Sequence, residues 1–105
     1  MTALPPYAFT AHGSMGLHVM AAMAHFGTSR LSEREAEVAQ LILQGHSSKV
    51  IARMLGNSPE TVKVFRKRIH TKLGLATSAE LFSLFLSGLC AAPQGSKEDP
   101  LTYLN

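Results

Sequence analysis

The middle of the chain, residues 30–89, carries apolar residues at helical spacing, interrupted by signals that start and stop helices. Ser32 followed by Glu35 forms a capping box, in which each side chain can bind the backbone amide of the other residue, so a first helix starts there. Gly45 supplies its left-handed stop. The predicted inward face of this helix comprises Ala36, Val38, Ala39, Leu41 and Ile42.

A second, short helix is predicted to follow and to end near Leu55. Ser47 or Ser48 is expected to cap it, because a serine hydroxyl can accept a bond from a free amide at a helix start. Its apolar side comprises Val50, Ile51 and either Met54 or Leu55. Gly56 and Asn57 then turn the chain.

A third helix is predicted over residues 59–73, because Ser58 is a preferred cap and Pro59 is favoured at the first helical position. Gly74 ends this helix. On a helical projection, one compact stripe of the third helix is apolar, and it comprises Val62, Phe65, Ile69 and Leu73. This stripe is the predicted buried face.

A second capping box, Thr77 followed by Glu80, opens a fourth helix that is predicted to run to about Ser87 and to be closed by Gly88. Apolar residues nearly encircle this helix, and they are Leu81, Phe82, Leu84, Phe85 and Leu86. One small domain cannot cover all of them. Either the N-terminal segment or a second copy of the chain is therefore expected to cover the remainder.

Two segments flank the four helices. Residues 1–29 contain no Asp, Glu, Lys or Arg, and the apolar spacing near Met15–Phe26 predicts a short helix that packs on a partner surface. This segment is expected to be an extension or linker: a linker from a sensor domain, a dimer arm or a natural short extension. Residues 90–105 are rich in Pro, Gly, Ser and charge and are predicted to form a flexible tail. The central residues 30–89 form the predicted helical domain.

Length and composition narrow the class of protein. The 105 residues suffice for one domain, and 46% of them are apolar, enough for one small core. The lone cysteine, Cys90, excludes an internal disulfide framework. No apolar run reaches the roughly 20 residues of a membrane span. Residues 1–29 also lack the basic start of a secretory signal, so we expect no membrane partner and a cytoplasmic location.

The distribution of charge points to a nucleic-acid partner. The net charge is only +3, but five cations and no acidic residue lie between Thr61 and Leu73. A solvated surface helix normally mixes both signs to gain pairs between neighbouring turns, and this helix does not. A short helix, a tight turn and a basic helix form a helix-turn-helix arrangement, whose second helix enters the major groove of DNA. For the charge alone, a plain solvated face is the alternative.

Four motifs follow one another in the central domain: Leu31-Ser-Glu-Arg-Glu-Ala-Glu-Val38, Gly45-His-Ser-Ser-Lys-Val-Ile-Ala52, Leu55-Gly-Asn-Ser-Pro-Glu-Thr-Val-Lys63 and Arg66-Lys-Arg-Ile-His-Thr-Lys-Leu-Gly74. In order and spacing they resemble the LuxR-type (LuxR/GerE) helix-turn-helix domain of bacterial transcription regulators. The resemblance covers about residues 30–86. It implies an all-α, four-helix LuxR-type domain, here with an additional, partly helical N-terminal segment. It also implies sequence-specific binding of double-stranded DNA for transcription regulation.

The resemblance further assigns roles to single residues. The expected readers of base edges are Lys63, Val64 and Lys67. The expected phosphate contacts, which position the protein without reading sequence, are Lys49, Ser58, Thr61, Arg66 and Lys72. The expected homodimer contacts on the fourth helix are Leu81, Phe82, Phe85 and Leu86. RNA polymerase is a further partner that the resemblance allows.

Three positions depart from the pattern of the family. Ser48 stands where Asn is usual, Val50 where Glu is usual, and Phe65 where His is common. Val50 cannot complete a capping box with Ser47, so the second helix is expected to start less firmly. Phe65 belongs to the apolar stripe and is expected to add burial rather than to alter DNA reading.

Other classes of function find less support in the sequence. The alternative to DNA binding is a protein-interaction module that binds and modulates another regulator through its apolar helices. An enzyme is not expected, because neither His46 nor His70 forms a nucleophile–base pair with its neighbours. No metal is expected at His12, His18 and His25, which lack a third ligand at fixed spacing. No cofactor or small-molecule ligand is expected, and no acidic cluster suits a phosphoacceptor.

Overall fold

The computed structural model of the protein describes residues 13–104, with side chains from Met15 onward. Its helices are α1 (Gly13–His25), α2 (Glu33–Leu43), α3 (Ser48–Leu55), α4 (Pro59–Leu73), α5 (Ser78–Ala91) and a C-terminal 3-10 helix (Pro100–Tyr103). No strand occurs within residues 13–104, and the prediction of an all-α fold is confirmed. None of these helices is by itself long and apolar enough to cross a membrane; α4 and α5 meet that measure only together, across a 52° bend.

The starts of α2 and α3 follow the local capping signals. At α2 the Ser32 hydroxyl accepts a bond from the Glu35 amide at 3.2 Å, and the Glu35 carboxylate accepts one from the Ser32 amide at 2.9 Å. At α3 the cap is Ser47 rather than the following serine, and its hydroxyl accepts from the Val50 amide at 3.2 Å. Val50 has no polar side-chain atom to return that bond. α3 therefore starts with one capping bond where α2 starts with two.

One apolar core joins the five α-helices and the C-terminal segment. Its buried residues are Ala22, Met23, Phe26, Leu31, Ala36, Val38, Ala39, Leu43, Ile51, Ala52, Val62, Ile69, Leu81, Phe85 and Leu101. The ring of Phe26 meets the ring of Phe85 edge-on, with the centroids 5.7 Å apart and the planes at 80°. This contact fixes the end of α1 against the middle of α5.

α1 folds back on α5 within one chain. Nε2 of His18 lies 3.0 Å from the carbonyl oxygen of Leu89, and Met23 is buried in the core. α1 thus covers part of the apolar surface of α5, which is one of the two covers that the sequence leaves open. On its outer side, Met15 and Leu17 remain exposed.

α5 is longer than predicted, because it continues through Gly88 and ends at Ala91. Gly88 is buried, and a Cβ atom placed on it would lie 3.0 Å from Cβ of Pro100 and 3.2 Å from the backbone carbon of that residue. The glycine therefore permits close packing of the C-terminal segment on α5. The prediction that this helix ends near Ser87 is wrong, because the demand for a glycine here is tertiary and not a local helix stop.

The C-terminal segment packs on the domain. Asp99 is 4% exposed, and its Oδ2 accepts bonds from the amide and the hydroxyl of Ser29 at 2.9 and 2.6 Å. Pro100 and Leu101 are buried. The prediction of a flexible tail is wrong for residues 99–104, because a bonded carboxylate and two buried apolar side chains hold them. The division of the chain at residues 29 and 89 stays a prediction.

Candidate nucleic-acid interface

α4 has one buried and one exposed face. Val62 and Ile69 are fully buried, and Phe65 and Leu73 pack partly buried against the same core. The predicted apolar stripe is confirmed, and Phe65 adds burial as expected. Most of the cations of α4 lie on the remaining, exposed surface.

The turn between α3 and α4 is held by local bonds. Gly56 adopts a φ of +69°, a left-handed conformation that costs glycine no steric strain. The amide of Asn57 donates to the carbonyl oxygen of Ala52 at 2.9 Å. Ser58 then caps α4, and its hydroxyl accepts from the amide of Thr61 at 3.2 Å. α3, this turn and α4 form the helix-turn-helix.

The three residues predicted to read bases share the exposed face of α4. Lys63, Val64 and Lys67 are all exposed, Val64 by 48%. Lys63 and Lys67 line one shallow cleft, and Val64 and Lys67 line another. Lys67 thus lies next to both Lys63 and Val64. An exposed methyl surface beside ammonium groups suits contact with a thymine methyl group and with the O6 and N7 acceptors of guanine.

Lys49, Ser58 and Thr61 lie where α3 meets the start of α4. Lys49 is exposed on α3 and lines a cleft together with Pro59. The hydroxyl oxygens of Ser58 and Thr61 are 2.9 Å apart, so one hydroxyl proton bonds within the pair and the other is free to be donated. The start of α4 therefore offers a cation and a hydroxyl donor side by side.

Arg66 and Lys72, two further predicted phosphate contacts, form hydrogen bonds to side chains of other helices. The Arg66 guanidinium donates to the hydroxyls of Ser48 at 3.0 Å and Ser78 at 2.6 Å. The Lys72 ammonium donates to Oε1 of Glu35 at 2.7 Å, and Glu35 is only 3% exposed. This bond, helped by a backbone amide of the α2 cap, holds the pKa of the Glu35 carboxyl below its usual value against the opposing effect of burial. The role of both cations at phosphate stays a prediction.

Two exposed arginines, to which the sequence assigns no role, also line these clefts. Arg68 lines the cleft that Val64 and Lys67 share, and Arg53 of α3 lines the cleft of Lys49. In the described part of the chain neither arginine forms a salt bridge. The signal for Arg68 is its place in a helix turn without acids. Arg53 carries no such signal, because only the packing of α3 on α4 brings it to this side.

The residues predicted to form a dimer contact divide into two pairs. Leu81 (0% exposed) and Phe85 (2%) are buried in the core of their own chain, so their assignment to an interface is wrong. Phe82 (47%) and Leu86 (42%) are exposed, one turn apart on α5. Residues four apart share a helix face, and the face of Leu81 and Phe85 is turned to the core where Phe26 lies.

The histidines do not gather into a ligand set in the described residues. His18 bonds to a backbone carbonyl, as described above, and so has a structural role. Within residues 15–104 no three side chains of His, Cys, Asp and Glu lie close enough together to hold a metal ion. His12 lies outside the described residues, so the expectation of no metal stays a prediction.

Comparison with known families identifies the domain. The GerE model, which represents the luxR family of bacterial regulatory proteins, matches residues 29–85, more than half of the chain. The chain belongs to the luxR family. The resemblance carried by the four motifs is confirmed, and membership supports a role in DNA-binding transcription regulation. The luxR-family match contains α2, α3, α4 and the first half of α5, whereas α1 and the C-terminal 3-10 helix lie outside it.

Similar proteins are transcriptional regulators by name. The chain is 48% identical over 79 residues, 75% of its length, to a candidate HTH-type transcriptional regulator in the exeN 3′ region of Aeromonas salmonicida, and covers 40% of that protein. It is 43% identical over 58 residues to the transcriptional regulatory protein TdiR of Thauera aromatica and 41% identical over 58 residues to UhpA of Escherichia coli. These matches cover 55% of the chain and only 26% and 30% of the two relatives. No solved structure matches the chain significantly.

Proposed function

We propose that the protein binds double-stranded DNA sequence-specifically, as a homodimer, to regulate transcription. α4 enters the major groove, and Lys63, Val64 and Lys67 read base edges. A cytoplasmic location and contact with RNA polymerase belong to the same proposal. The observation that carries it is the exposed face of α4, where an accessible valine lies among cations and no acidic residue occurs between Thr61 and Leu73.

The surroundings of α4 support this orientation. The major groove is about 12 Å wide and accepts one helix. With α4 in the groove, Lys49 and Arg53 of α3 lie on the side that faces the phosphate backbone, since both line the cleft next to Pro59 at the start of α4. Phosphate contacts of this kind bind any sequence, and the specificity then comes from base edges.

Lys63→Ala and Lys67→Ala are each expected to weaken binding to the preferred duplex by about 1–3 kcal/mol and to relax base preference. Both ammonium groups are exposed in the free protein, so their loss removes donors to bases without disturbing the core. The preferred duplex is obtained by selecting bound sequences from random DNA. Binding to this duplex and to a scrambled one is then titrated at several salt concentrations.

Lys97→Ala is the matched control, because it removes an exposed lysine from the C-terminal segment instead of α4. It is expected to leave base preference unchanged. If the α4 substitutions behave like this control, the assignment of reading residues is wrong. The proposed function requires that the wild-type chain bind duplex DNA and that this binding weaken as the salt concentration rises. If no such binding is found, the proposed function as a whole is contradicted.

The homodimer in this proposal is assigned to the outer side of α5. Phe82→Glu is expected to raise the dimer dissociation constant by at least about tenfold, because an exposed aromatic anchor would be replaced by a charge. Unfolding stability is expected to change little, since Phe82 is 47% exposed in one chain. Sedimentation over a range of concentrations measures the change, with Met54→Glu as the control at an exposed apolar residue of α3. Monomeric wild-type protein throughout that range would contradict the dimer.

A second candidate function is binding of another regulator through exposed apolar surface. It is favoured by Met15 (66% exposed) and Leu17 (61%) on α1, which add to the exposed residues of α5. A stable complex with a different protein, combined with no measurable DNA binding, would favour this function over the first.

A further inference from the structure

We infer that Arg66 is a positioning residue, whose guanidinium ties α4 to both α3 and α5 and so sets the angle at which the recognition helix meets DNA. This inference rests on the proposed function. It assigns to Arg66 a contact within the protein in place of the phosphate contact predicted from the sequence. Nη1 donates to Oγ of Ser48 and Nη2 donates to Oγ of Ser78, at 3.0 and 2.6 Å. These two acceptors lie 18 and 12 residues from Arg66, on different helices.

The chemistry of the contact requires an arginine. A guanidinium carries its donors in a rigid planar fork, so two separate acceptors can be bound at once in a fixed direction. A lysine ammonium is a single point on a flexible stem and cannot hold both hydroxyls in the same way. Arg66 is also half-buried, whereas Lys63, Lys67 and Arg68 on the same helix are exposed.

Neither of the two hydroxyls caps its own helix. Ser48 and Ser78 are the first residues of α3 and α5, and the caps of these helices are the preceding residues, Ser47 and Thr77. The positive ends of two helix dipoles do not favour a cation beside them, so the hydrogen bonds themselves must hold Arg66 there. Removing both hydroxyls therefore tests the contact without removing the charge or a cap.

The link matters for base reading because α4 carries the readers while α3 and α5 form its frame. A site for recognition tolerates displacements of only about 0.5 Å before contacts weaken. Without the two hydrogen bonds from Arg66, the apolar stripe of α4 stays packed on the core, but the angle of α4 to the neighbouring helices is no longer fixed. Base contacts, which need that angle, are then lost, whereas nonspecific attraction to phosphates persists.

The test compares Arg66→Ala, Arg66→Lys and the double variant Ser48→Ala with Ser78→Ala in the full chain. Affinity is measured for the selected and the scrambled duplex between low and high salt. All three are expected to lower the ratio of the two affinities by about tenfold, as the loss of charge-assisted hydrogen bonds predicts. The slope of log affinity against log salt is expected to stay unchanged.

A direct phosphate contact gives the opposite pattern and would overturn the inference. In that case Arg66→Ala makes the slope shallower by about 0.9, Arg66→Lys restores it, and the double serine variant resembles wild type. An unchanged affinity ratio in Arg66→Ala would overturn it as well.

Thermal unfolding without DNA tests the Arg66 contact independently of DNA binding, so failure of this inference can be distinguished from failure of the proposed function. If Arg66 forms hydrogen bonds to both serine hydroxyls, the variant that lacks Arg66 and both hydroxyls melts at the same temperature as Arg66→Ala alone, because the bonds are already lost in Arg66→Ala. If the decreases in melting temperature are instead additive, the proposed hydrogen bonds are contradicted, even if the wild-type chain proves not to bind DNA.

Discussion

Phe26→Ala is expected to lower the free energy of unfolding by about 3–5 kcal/mol. The Phe26 side chain is fully buried, and its ring meets that of Phe85 edge-on at a centroid distance of 5.7 Å. The substitution leaves a cavity between α1 and α5 and removes an aromatic pair. Urea unfolding followed by circular dichroism measures the change, with the midpoint and the slope analysed together.

Leu17→Ala is the matched control on the same segment. Leu17 is 61% exposed, so the loss of its side chain removes little burial and is expected to change stability by less than about 0.5 kcal/mol. If Phe26→Ala costs no more than this control, α1 is not an integral part of the core. The comparison therefore tests whether the uncharged N-terminal segment belongs to the domain, although it lies outside the luxR-family match.

Glu35→Ala is expected to cost about 2–4 kcal/mol, because one carboxylate serves two structural purposes. It accepts the Ser32 amide in the capping box of α2 at 2.9 Å and the Lys72 ammonium of α4 at 2.7 Å. The Lys72 side chain is 45% exposed, so water compensates part of the lost pair and the cost stays below that of a fully buried one. Urea unfolding again gives the measurement.

Glu37→Ala provides the control for Glu35. Glu37 pairs with Arg34 at 3.4 Å, but both side chains are about half exposed, at 45% and 44%. An exposed pair of this kind is worth at most about 1 kcal/mol. Equal losses in the two variants would contradict a structural role for the bond between α2 and α4.

The same carboxylate makes stability depend on pH. The pKa of Glu35 is lower in the folded chain than in the unfolded one, chiefly because of the bond from Lys72. Between the two values the unfolded chain binds more protons, so stability rises with pH. The contribution of Glu35 to the free energy of unfolding is complete above the ordinary glutamate pKa of about 4.3. It is lost as the pH falls through the lower pKa that Glu35 has in the folded chain.

Glu35→Gln is expected to flatten this rise without abolishing it. The pKa of Glu80 is also lowered, by the backbone amides of Ala76 and Thr77 at the start of α5, and that contribution remains in the variant. Unfolding measured between pH 3 and 6 in wild type and variant gives the difference. An identical pH dependence in both would contradict the assigned bond.

Helix starts were predictable because their causes are local. The capping boxes of α2 and α5 and the Ser58–Pro59 start of α4 involve atoms only three or four residues apart. The end of α5 was not predictable in this way. Gly88 reads as a stop in the sequence, but the constraint on it comes from Pro100, which the fold brings into contact.

The chemistry of the candidate interface could be predicted only in part from the sequence. The sequence places Lys63, Val64 and Lys67 on the exposed side of α4, because the apolar stripe on the other side must face the core. It does not reveal that Arg66 and Lys72 are bonded to side chains 12 to 37 residues away. Those bonds depend on how helices pack, and periodicity along one helix carries no information about them.

The sequence by itself determined the starts of α2, α4 and α5, the family and the face of α4 that meets solvent, since these follow from caps, periodicity and motifs within short stretches of chain. Only the tertiary structure decided which apolar side chains of α5 are free. Leu81 and Phe85 turn inward and Phe82 and Leu86 outward, although all four are equally apolar in the sequence. α1 and the C-terminal segment decide between them, because they pack against α5 and leave its other side uncovered.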